Sequence, residues 1–447
     1  MRIAMIGAGY VGLVSAACFA EFGVAVSAVD KDTAKIEGLQ NGRIPIFEPG
    51  LDEVVARGTG SGLLTFTSDL KSALSGADAV FIAVGTPSRR GDGHADLTYL
   101  FAAAEEIAKA LEHDTVVVTK STVPVGTGRR LHKLFEALRP DLSIEVASNP
   151  EFLREGAAIE DFMRPDRVVV GVESAQARQV LERLYRPLNL IQTPILFTSL
   201  ETAELIKYAT NSFLATKVTF INEMADLCER LGADVQTLAR GLGLDRRIGG
   251  KFLHPGPGYG GSCFPKDTTA LLRTAEQVRV PLRIVESVVA VNDGRKRSMV
   301  HRVIEACGGS VRGLTLAVLG VTFKPNTDDI RESPSLVIVP ALQAEGATLR
   351  AYDPAGMAVA ERELPDVLWC DDPYTAMTGA DAVVILTEWN VFRVLDLERV
   401  RSLLRRPVVV DLRNVYEPEE MLAAGFSYTS IGRPFPQPGQ AGERELR

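Results

Sequence analysis

The sequence is poor in the residues that build disulfide scaffolds and metal centres. Its 447 residues include five cysteines and five histidines, and neither a C-x-x-C nor an H-E-x-x-H motif occurs. Because metal sites need clustered ligands at characteristic spacings, we predict no metal. The lack of paired cysteine spacings excludes a disulfide-rich secreted scaffold and favours a reducing compartment.

The sequence also lacks a basic block and a long uninterrupted apolar run. Acidic residues outnumber basic ones by 57 to 49, a net charge of −8, so a nucleic-acid partner has no electrostatic support. The apolar stretch 11–29 contains Glu21 and two glycines, which makes it a poor membrane span. The N-terminus enters an apolar strand pattern without the charged region and cleavage site of a secretory signal. We therefore expect a cytoplasmic protein that binds neither nucleic acid nor a membrane.

Short β-branched runs alternate with helical patterns in both halves of the chain. This alternation is typical of a doubly wound parallel sheet with helices on its faces. Between the halves, residues 200–231 contain neither glycine nor proline, and their apolar residues recur roughly once per helical turn. We therefore predict an α/β fold of two Rossmann-like doubly wound domains, joined by a helical central domain with a long helix.

The second half repeats the architecture of the first. Residues 75–82 resemble residues 378–385, and the second predicted strand of each half ends in an aspartate, Asp30 or Asp353. The number of residues that separates the matching positions differs from one match to the next, which indicates two related folds rather than a strict repeat. The predicted domains are residues 1–198, 199–308 and 309–433, followed by a disordered tail at 434–447 that is rich in Pro, Gly, Gln and charge.

The segment Gly7-Ala8-Gly9-Tyr10-Val11-Gly12 follows a predicted strand and opens a predicted helix. Glycines at this place allow a tight turn and a close approach of the backbone to a pyrophosphate, whose charge meets the helix N-terminus. Asp30 follows 18 residues after the last glycine, where a carboxylate binds ribose hydroxyls and repels a 2′-phosphate. This context favours NAD over NADP, and over a glycine turn that only packs a helix against a sheet.

One cysteine, Cys263, stands in a glycine-rich loop just before a predicted helix with Pro265 in its first turn. A thiol there lies at the positive end of the helix dipole, which stabilises the thiolate, so it can act as a nucleophile. The neighbouring glycines let a substrate come close. The other cysteines are expected to be packing residues: Cys18, Cys228, Cys307 and Cys370.

Polar residues recur where predicted elements could bring them to a ligand. Lys207 and Asn211 are about one turn apart on the long helix, and such a pair can hold a hydroxyl or a developing oxyanion. From spacing alone, a solvated lysine beside a polar residue is the better interpretation. Ligands of open α/β sheets bind at the carboxyl ends of strands, and several polar residues follow predicted strands: Thr86, Thr122, Glu151 and Glu155.

Four segments together resemble the UDP-glucose/GDP-mannose dehydrogenase family: residues 7–12, 148–156, 252–267 and 320–325. They occur in the family's order, and the block around Cys263 is highly specific. Residues 387–393, with Thr387-Glu388-Trp389, resemble the UDP-glucose 6-dehydrogenases in particular. The resemblance covers nearly the whole chain before the tail.

The resemblance implies two successive NAD-dependent oxidations of UDP-glucose at C6, which yield UDP-glucuronate. Cys263 would trap the aldehyde as a thiohemiacetal, which a second oxidation converts to a thioester that water hydrolyses. Lys207 and Asn211 would stabilise the oxyanions. Asp267, with Lys207 and a water held by Thr122, would handle the proton, and Glu151 would serve as acid and base in thioester hydrolysis.

The resemblance also implies the binding residues. The NAD contacts would be Gly7, Gly9, Tyr10, Val11, Gly12, Asp30, Lys35, Gly85, Thr86, Thr122, Glu155, Lys266 and Arg331. The substrate contacts would be Glu151, Phe152, Leu153, Arg154, Glu155, Lys207, Asn211, Phe252, Leu253, His254, Pro255, Gly256, Gly260, Phe323 and Lys324, with Arg247 reaching the substrate of a neighbouring subunit. The first Rossmann-like domain would bind NAD, the second would bind UDP, and the central helices would form a homodimer.

Alternative functions remain open at this point. A dehydrogenase of GDP-mannose or of a UDP-N-acetylhexosamine would share the cysteine, the lysine and the NAD site. A 3-hydroxyacid dehydrogenase also pairs an NAD fold with a helical lysine and asparagine, but it needs neither Cys263 nor a third domain. A cysteine hydrolase using Cys263 and His254 would leave the glycine fingerprint without a role. A non-catalytic NAD-binding module would leave Cys263, Lys207 and Asp267 unexplained.

Overall fold

The computed structural model describes residues 1–89 and 91–434. The tail predicted to be disordered, residues 434–447, lies outside the described residues except for Pro434. The chain folds as two compact units, one of residues 1–210 and 269–281 and the other of residues 211–268 and 282 onward. Within the described part of the chain, no helix is both long and apolar enough to cross a membrane.

The first unit is built on an eight-stranded sheet with the strand order β3-β2-β1-β4-β5-β6-β7-β8. Its strands are β1 (Arg2–Ile6), β2 (Ala25–Val29), β3 (Leu64–Thr67), β4 (Ala79–Ile82), β5 (Thr115–Thr119), β6 (Ile144–Ser148), β7 (Val168–Gly171) and β8 (Ile195–Thr198). Neighbouring strands are parallel except for the antiparallel pair β6 and β7.

Helices connect these strands, because a parallel crossover needs a dozen or more residues. They are α1 (Tyr10–Glu21), α2 (Thr33–Gln40), α3 (Leu51–Gly60), α4 (Leu70–Leu74), α5 (Thr98–Ala110), α6 (Thr127–Leu138), α7 (Ala158–Met163), α8 (Ala175–Leu184) and a 3₁₀ helix (Arg186–Ile191). The central strands are buried on both faces, which explains their continuous apolar sequences.

A helical region follows: α9 (Leu200–Leu231), α10 (Val235–Leu244), α11 (Phe264–Gln277) and α12 (Arg283–Ala306). The long helix predicted for residues 200–231 has those bounds in α9. Both α9 and α11 pass from one unit into the other along the chain.

The second unit contains a six-stranded sheet in the order β11-β10-β9-β12-β13-β14. Its strands, all parallel to their neighbours, are β9 (Thr315–Leu319), β10 (Thr348–Tyr352), β11 (Leu368–Trp369), β12 (Ala382–Ile385), β13 (Val408–Asp411) and β14 (Ser427–Thr429). The helices between them are α13 (Ser335–Ala344), α14 (Met357–Glu363), α15 (Pro373–Met377), α16 (Asn390–Arg393), α17 (Leu397–Leu403) and α18 (Pro418–Ala423).

Both sheets begin with the same order of strands. Numbered within its own sheet, each contains the order 3-2-1-4-5-6 of dinucleotide-binding folds. The prediction of two Rossmann-like sheets with a helical region between them in the chain is therefore confirmed. The three domain boundaries stay a prediction.

An aromatic cluster packs α1 against the first sheet. Phe19 is fully buried, and its ring centroid lies 5.4 Å from that of Phe81, 4.9 Å from that of Phe162 and 5.5 Å from that of Tyr185. Rings at these separations add stabilisation beyond the area that they bury. The cluster fixes the helix that follows the glycine segment.

We expect Phe19→Ala to lower the free energy of unfolding by about 3–5 kcal/mol, because it leaves a cavity among these rings. The measurement is urea denaturation. Tyr99→Ala is the control, since Tyr99 is 61% exposed and its loss should change the free energy by less than about 1 kcal/mol. Equal effects of the two substitutions would contradict the packing described here.

Candidate active site

The glycine segment forms a tight turn between β1 and α1. Gly7 has a φ of +102°, and a Cβ there would lie 2.7 Å from the carbonyl oxygen of Ala83. A Cβ on Gly12 would overlap the carbonyl oxygen of Gly7, whereas a Cβ on Gly9 would meet nothing within 4 Å. The turn is therefore packed on its inner side and open at Gly9. The first turn of α1 carries no acidic residue, so this helix end suits a pyrophosphate.

Asp30 stands directly after β2, beside the glycine turn. Its carboxylate accepts hydrogen bonds from the amides of Ala8 and Asp32, each 3.0 Å away, and from Lys35 Nζ at 2.8 Å. Burial alone would raise the pKa of Asp30, but these donors outweigh it and hold the pKa below its usual value. The carboxylate is thus ionised beside the turn, which fits the ribose hydroxyls of a dinucleotide.

A glutamate that the sequence analysis did not single out, Glu48, connects the glycine turn to the segment after β6. Tyr10 donates its hydroxyl to Glu48, and the same carboxylate accepts from the amides of Gly156 (2.5 Å) and Ala158 (2.7 Å). Burial and the bond to Glu48 raise the pKa of Tyr10, so its hydroxyl stays protonated. This network fixes the turn at residues 156–158.

Lys207 and Glu151 form a buried ion pair in the first unit. Lys207 Nζ lies 3.0 Å from Glu151 Oε1, with the side chains 3% and 7% exposed. The other oxygen of Glu151 accepts from the Leu153 amide at 2.6 Å, and Lys207 Nζ lies 5.4 Å from the centroid of the Phe152 ring. The interpretation of Lys207 as a solvated lysine, which spacing alone favoured, is therefore wrong.

Glu204, on the same helix as Lys207, joins α9 to the loop after β5. Its carboxylate accepts from the amides of Gly126 (2.6 Å) and Gly128 (2.7 Å) at the start of α6. Burial raises the pKa of Glu204 to about 7, against the opposing effect of these amides. The loop so anchored contains Thr122, whose carbonyl oxygen accepts a bond from Thr86 Oγ1 at 2.8 Å.

In the second unit, the residues around Cys263 form a second polar cluster. Cys263 immediately precedes α11, is half-buried and is in no disulfide. Asp267, one turn into that helix, is fully buried; it accepts from Asn211 Nδ2 at 2.6 Å and from Lys266 Nζ at 2.7 Å. The structure thus brings Asn211, Lys266 and Asp267 together beside the helix end that carries the thiol.

The glycine-rich loop before Cys263 packs against the protein's own backbone. A Cβ on Gly260 would overlap the carbonyl oxygen of Glu332, and one on Gly261 would lie 2.7 Å from the Phe323 ring. The Gly261 amide donates to the Arg331 carbonyl at 2.8 Å. At these positions glycine is required by the approach of residues 323–333, a reason that the sequence analysis did not include.

The predicted substrate segment 252–256 is held by two side chains that the sequence analysis missed, and a third lies beside it. Asn222 Oδ1 accepts from the Gly256 amide at 2.8 Å, and Arg295 Nε donates to the Gly256 carbonyl at 2.6 Å. Arg413 donates to the Phe323 carbonyl at 2.8 Å, and its guanidinium borders Gly256. No sequence signal placed these residues there, because each lies 34 or more positions from its partner.

The remaining predicted residues fall into the same two units. The first unit contains Val11, Gly85, Glu155 and Arg154, whose guanidinium pairs with Asp161 at 2.6 Å. In the second unit Leu253 is buried and His254 exposed, Arg331 pairs with Asp329 at 2.7 Å, and Lys324 Nζ lies 5.3 Å from the centroid of the Phe323 ring. Arg247 pairs with Asp245 at 2.6 Å and is 89% exposed.

Family models match along most of the chain. The NAD binding domain of the UDP-glucose/GDP-mannose dehydrogenase family matches residues 1–189, its central domain matches residues 201–294, and its UDP binding domain matches residues 317–418. The glycine turn and Asp30 lie within the first match.

Individual relatives are similar over nearly the full length. The UDP-glucose 6-dehydrogenase of Rhizobium meliloti (strain 1021) is 60% identical over 97% of this chain and 100% of its own. A solved UDP-glucose dehydrogenase from the hyperthermophilic archaeon Pyrobaculum islandicum is 40% identical, with a TM-score of 0.87 over 94% of this chain and 95% of that one. A solved UDP-D-ManNAc dehydrogenase from Pyrococcus horikoshii is 27% identical, with a TM-score of 0.83 over 97% and 99%.

We expect Gly12→Ala to weaken NAD binding at least about tenfold, because the added methyl group displaces the Gly7 carbonyl and deforms the turn. Calorimetric titration with NAD measures the effect. Gly60→Ala is the matched control, since a Cβ at Gly60 meets nothing within 4 Å and alanine favours the helix. Unchanged NAD affinity in Gly12→Ala would contradict the role of this turn.

Proposed function

This chain belongs to the UDP-glucose/GDP-mannose dehydrogenase family and is an NAD-dependent dehydrogenase, and from that premise we propose that it oxidises UDP-glucose at C6 to UDP-glucuronate. The observation that carries the choice of substrate is the 60% identity, over 97% of the chain, to a UDP-glucose 6-dehydrogenase. Membership of this family leaves no place for the hydrolase and non-catalytic alternatives.

The proposed reaction oxidises the C6 alcohol to an aldehyde and then to a carboxylate. When bound, NAD⁺ supplies the hydride acceptor for each oxidation, so two molecules of NADH form per UDP-glucose. Between the oxidations, the Cys263 sulfur bonds to the aldehyde carbon as the carbonyl oxygen gains a proton, which gives a thiohemiacetal. Its oxidation yields a thioester, and water then cleaves the carbon–sulfur bond to release the acid and the thiol. The position of Cys263 before α11 supports this role, since a helix N-terminus favours the thiolate.

Lys207 and Glu151 act on the oxygen atoms of these steps in the proposed mechanism. The Lys207 ammonium stabilises the oxyanion that forms when a nucleophile adds to the carbonyl. Glu151 takes the proton of the water that attacks the thioester and returns it to the departing sulfur. Their 3.0 Å contact supports this division, because it holds a hydrogen-bond donor for the oxyanion and a proton acceptor for the water side by side.

Asn211 and Asp267 complete the proposed catalytic group. Asn211 donates from its amide to an oxyanion, and the 2.6 Å bond to Asp267 orients that amide. In the first oxidation Asp267 takes the proton of the C6 hydroxyl, with a water held by Thr122 and the charge of Lys207 assisting the transfer. The bonds of Asp267 to Asn211 and Lys266 support its place in this group.

The second sheet is proposed to bind the UDP part of the substrate. Asp353, the counterpart of Asp30, is fully buried and accepts from the amides of Val321 (2.7 Å) and Gly356 (2.8 Å). It also accepts from Trp389 Nε1 at 3.2 Å. Because its oxygens are already engaged, Asp353 does not offer the free acceptor that the ribose of a dinucleotide uses at this position. The match of residues 317–418 to the family's UDP binding domain supports a uridine nucleotide here.

We also propose domain boundaries at residues 198, 308 and 433. We further propose that the protein is a homodimer and that it is located in the cytoplasm, where the thiol stays reduced.

An exposed apolar stripe on α9 supports the dimer. Phe213, Phe220 and Leu227 recur every seven residues and are 66%, 46% and 48% exposed, so they lie on nearly one face of the helix. The exposed Arg247 fits a role in a neighbouring subunit.

We expect purified protein with UDP-glucose and excess NAD⁺ to form about two NADH per sugar consumed, because the aldehyde stays bound to sulfur. NADH absorbance against UDP-glucuronate measured by mass spectrometry gives the ratio. GDP-mannose and UDP-N-acetylmannosamine are run in parallel, since the latter tests the similarity to the UDP-D-ManNAc dehydrogenase. One NADH per sugar with release of free aldehyde would contradict the covalent route. Faster oxidation of another nucleotide sugar would overturn the choice of UDP-glucose as the substrate.

We expect Cys263→Ser to bind NAD and UDP-glucose with affinities within about threefold of wild type, while kcat falls at least about 10³-fold, because serine is a far weaker nucleophile at neutral pH. Steady-state kinetics and calorimetry measure the two properties. Cys370→Ser is the matched control: Cys370 is buried, but its sulfur already makes polar contacts with Arg350 and the Leu368 carbonyl. Full activity of Cys263→Ser would remove the thiol from the mechanism.

A further inference from the structure

A second buried lysine lies close to the Lys207–Glu151 pair. Lys120 directly follows β5 and is 3% exposed. Its Nζ donates to Asn149 Oδ1 at 3.1 Å and to the Tyr185 hydroxyl at 3.4 Å, and it lies 5.7 Å from the centroid of the Phe162 ring. These partners are neutral, so they offset only part of the cost of burying an ammonium group.

Lys120 bonds to the residue that starts the segment carrying Glu151. The backbone amide of Asn149 donates to the Thr119 carbonyl at 2.8 Å, and its side-chain Nδ2 donates to the Val169 carbonyl at 2.8 Å. Its remaining acceptor, Oδ1, receives Lys120 and the Tyr185 hydroxyl. Asn149 is thereby fixed to β5 and β7, and only Pro150 separates it from Glu151.

The charges of this region interact with one another. Burial lowers the pKa of Lys120 to about 8; the Glu151 carboxylate opposes that change, and the Lys207 ammonium adds to it. The ammonium is therefore charged at pH 7 and is lost as the pH rises through about 8. The titratable groups that face Lys120 among the described residues are Glu151, Lys207 and Tyr185.

We propose that Lys120 is a positioning residue for the reaction: it holds, through Asn149, the segment that carries Glu151, and it places a positive charge close to the Glu151–Lys207 pair. A proton acceptor works only within hydrogen-bond reach of the water that it activates, so the position of this segment matters for the proposed hydrolysis. This inference rests on the proposed function, because it assumes that Glu151 acts as a base. Stability alone does not account for Lys120, since an apolar side chain of similar length is less costly to bury.

The test uses Lys120→Met, which removes the charge at similar length, and Lys120→Gln, which keeps a donor for Asn149. In both, kcat should fall roughly 10- to 100-fold while the KM values for substrate and NAD⁺ stay within about threefold, because the binding groups remain. Both variants lose the charge, and Lys120→Met also loses the donor to Asn149, so its kcat should fall further. Both limbs of the pH profile of kcat should move to higher pH, since loss of a nearby positive charge makes ionisable groups of the site easier to protonate. Lys133→Met, at an exposed position of α6, is the matched control.

Two further variants separate charge from packing. Lys120→Arg retains the charge, so both limbs of its pH profile of kcat should lie at the wild-type positions. Tyr185→Phe removes a hydroxyl from the same buried network without changing its charge, so it should lower the thermal unfolding midpoint and leave the limbs in place. Overlap of the Lys120→Met and Lys120→Gln profiles with wild type would overturn the inference, as would an equal displacement of the limbs in Tyr185→Phe.

Failure of the proposed function is distinguishable from failure of this inference. The first shows in the wild-type protein, as absence of NADH formation from UDP-glucose. In that event the variants are compared with whichever nucleotide sugar the wild type oxidises, and the same shifts of the limbs support or overturn the role of Lys120.

Discussion

Taking the charges of Lys207 and Glu151 out of water costs several kcal/mol per ion, and their attraction compensates only when the geometry is held and the remaining lone pairs are satisfied. Several hydrogen bonds in the first unit hold this geometry. The Leu153 amide binds the second carboxylate oxygen, Glu48 fixes the following turn through Gly156 and Ala158, and Glu204 ties the helix that bears Lys207 to the loop after β5. The proposed chemistry needs the same rigidity, because a proton acceptor is useful only within hydrogen-bond reach of its donor.

The two sheets show how one topology serves two roles. Both have the order 3-2-1-4-5-6, and each has an aspartate just after its second strand. Asp30 sits beside a turn whose backbone is open at Gly9, and two amides and one lysine of its own protein bind it. Asp353 is enclosed by amides and an indole. The two sheets therefore share a strand order but differ in the hydrogen-bond partners of the aspartate that follows the second strand.

The sequence predicted the features that depend on local patterns. Periodicity gave both sheets and the bounds of α9, and the glycine spacing with Asp30 gave the NAD turn. Contacts between distant residues were not accessible in this way. Glu48, Lys120, Glu204 and Arg413 read as ordinary polar residues, because their partners lie tens of positions away. Lys207 is a case where the local pattern gave the wrong answer. Its spacing indicated a solvated side chain, but tertiary packing excludes water from it.

The enclosure of Asp353 has a consequence for protein engineering. A designer who wished to add a second dinucleotide site would start by grafting a glycine fingerprint onto residues 320–325. That graft would fail by itself, because Val321, Thr322, Gly356 and Trp389 would still saturate the aspartate. Retargeting this sheet requires relocating the indole and opening the turn after β10 first, so the change spans three separate stretches of sequence rather than one motif.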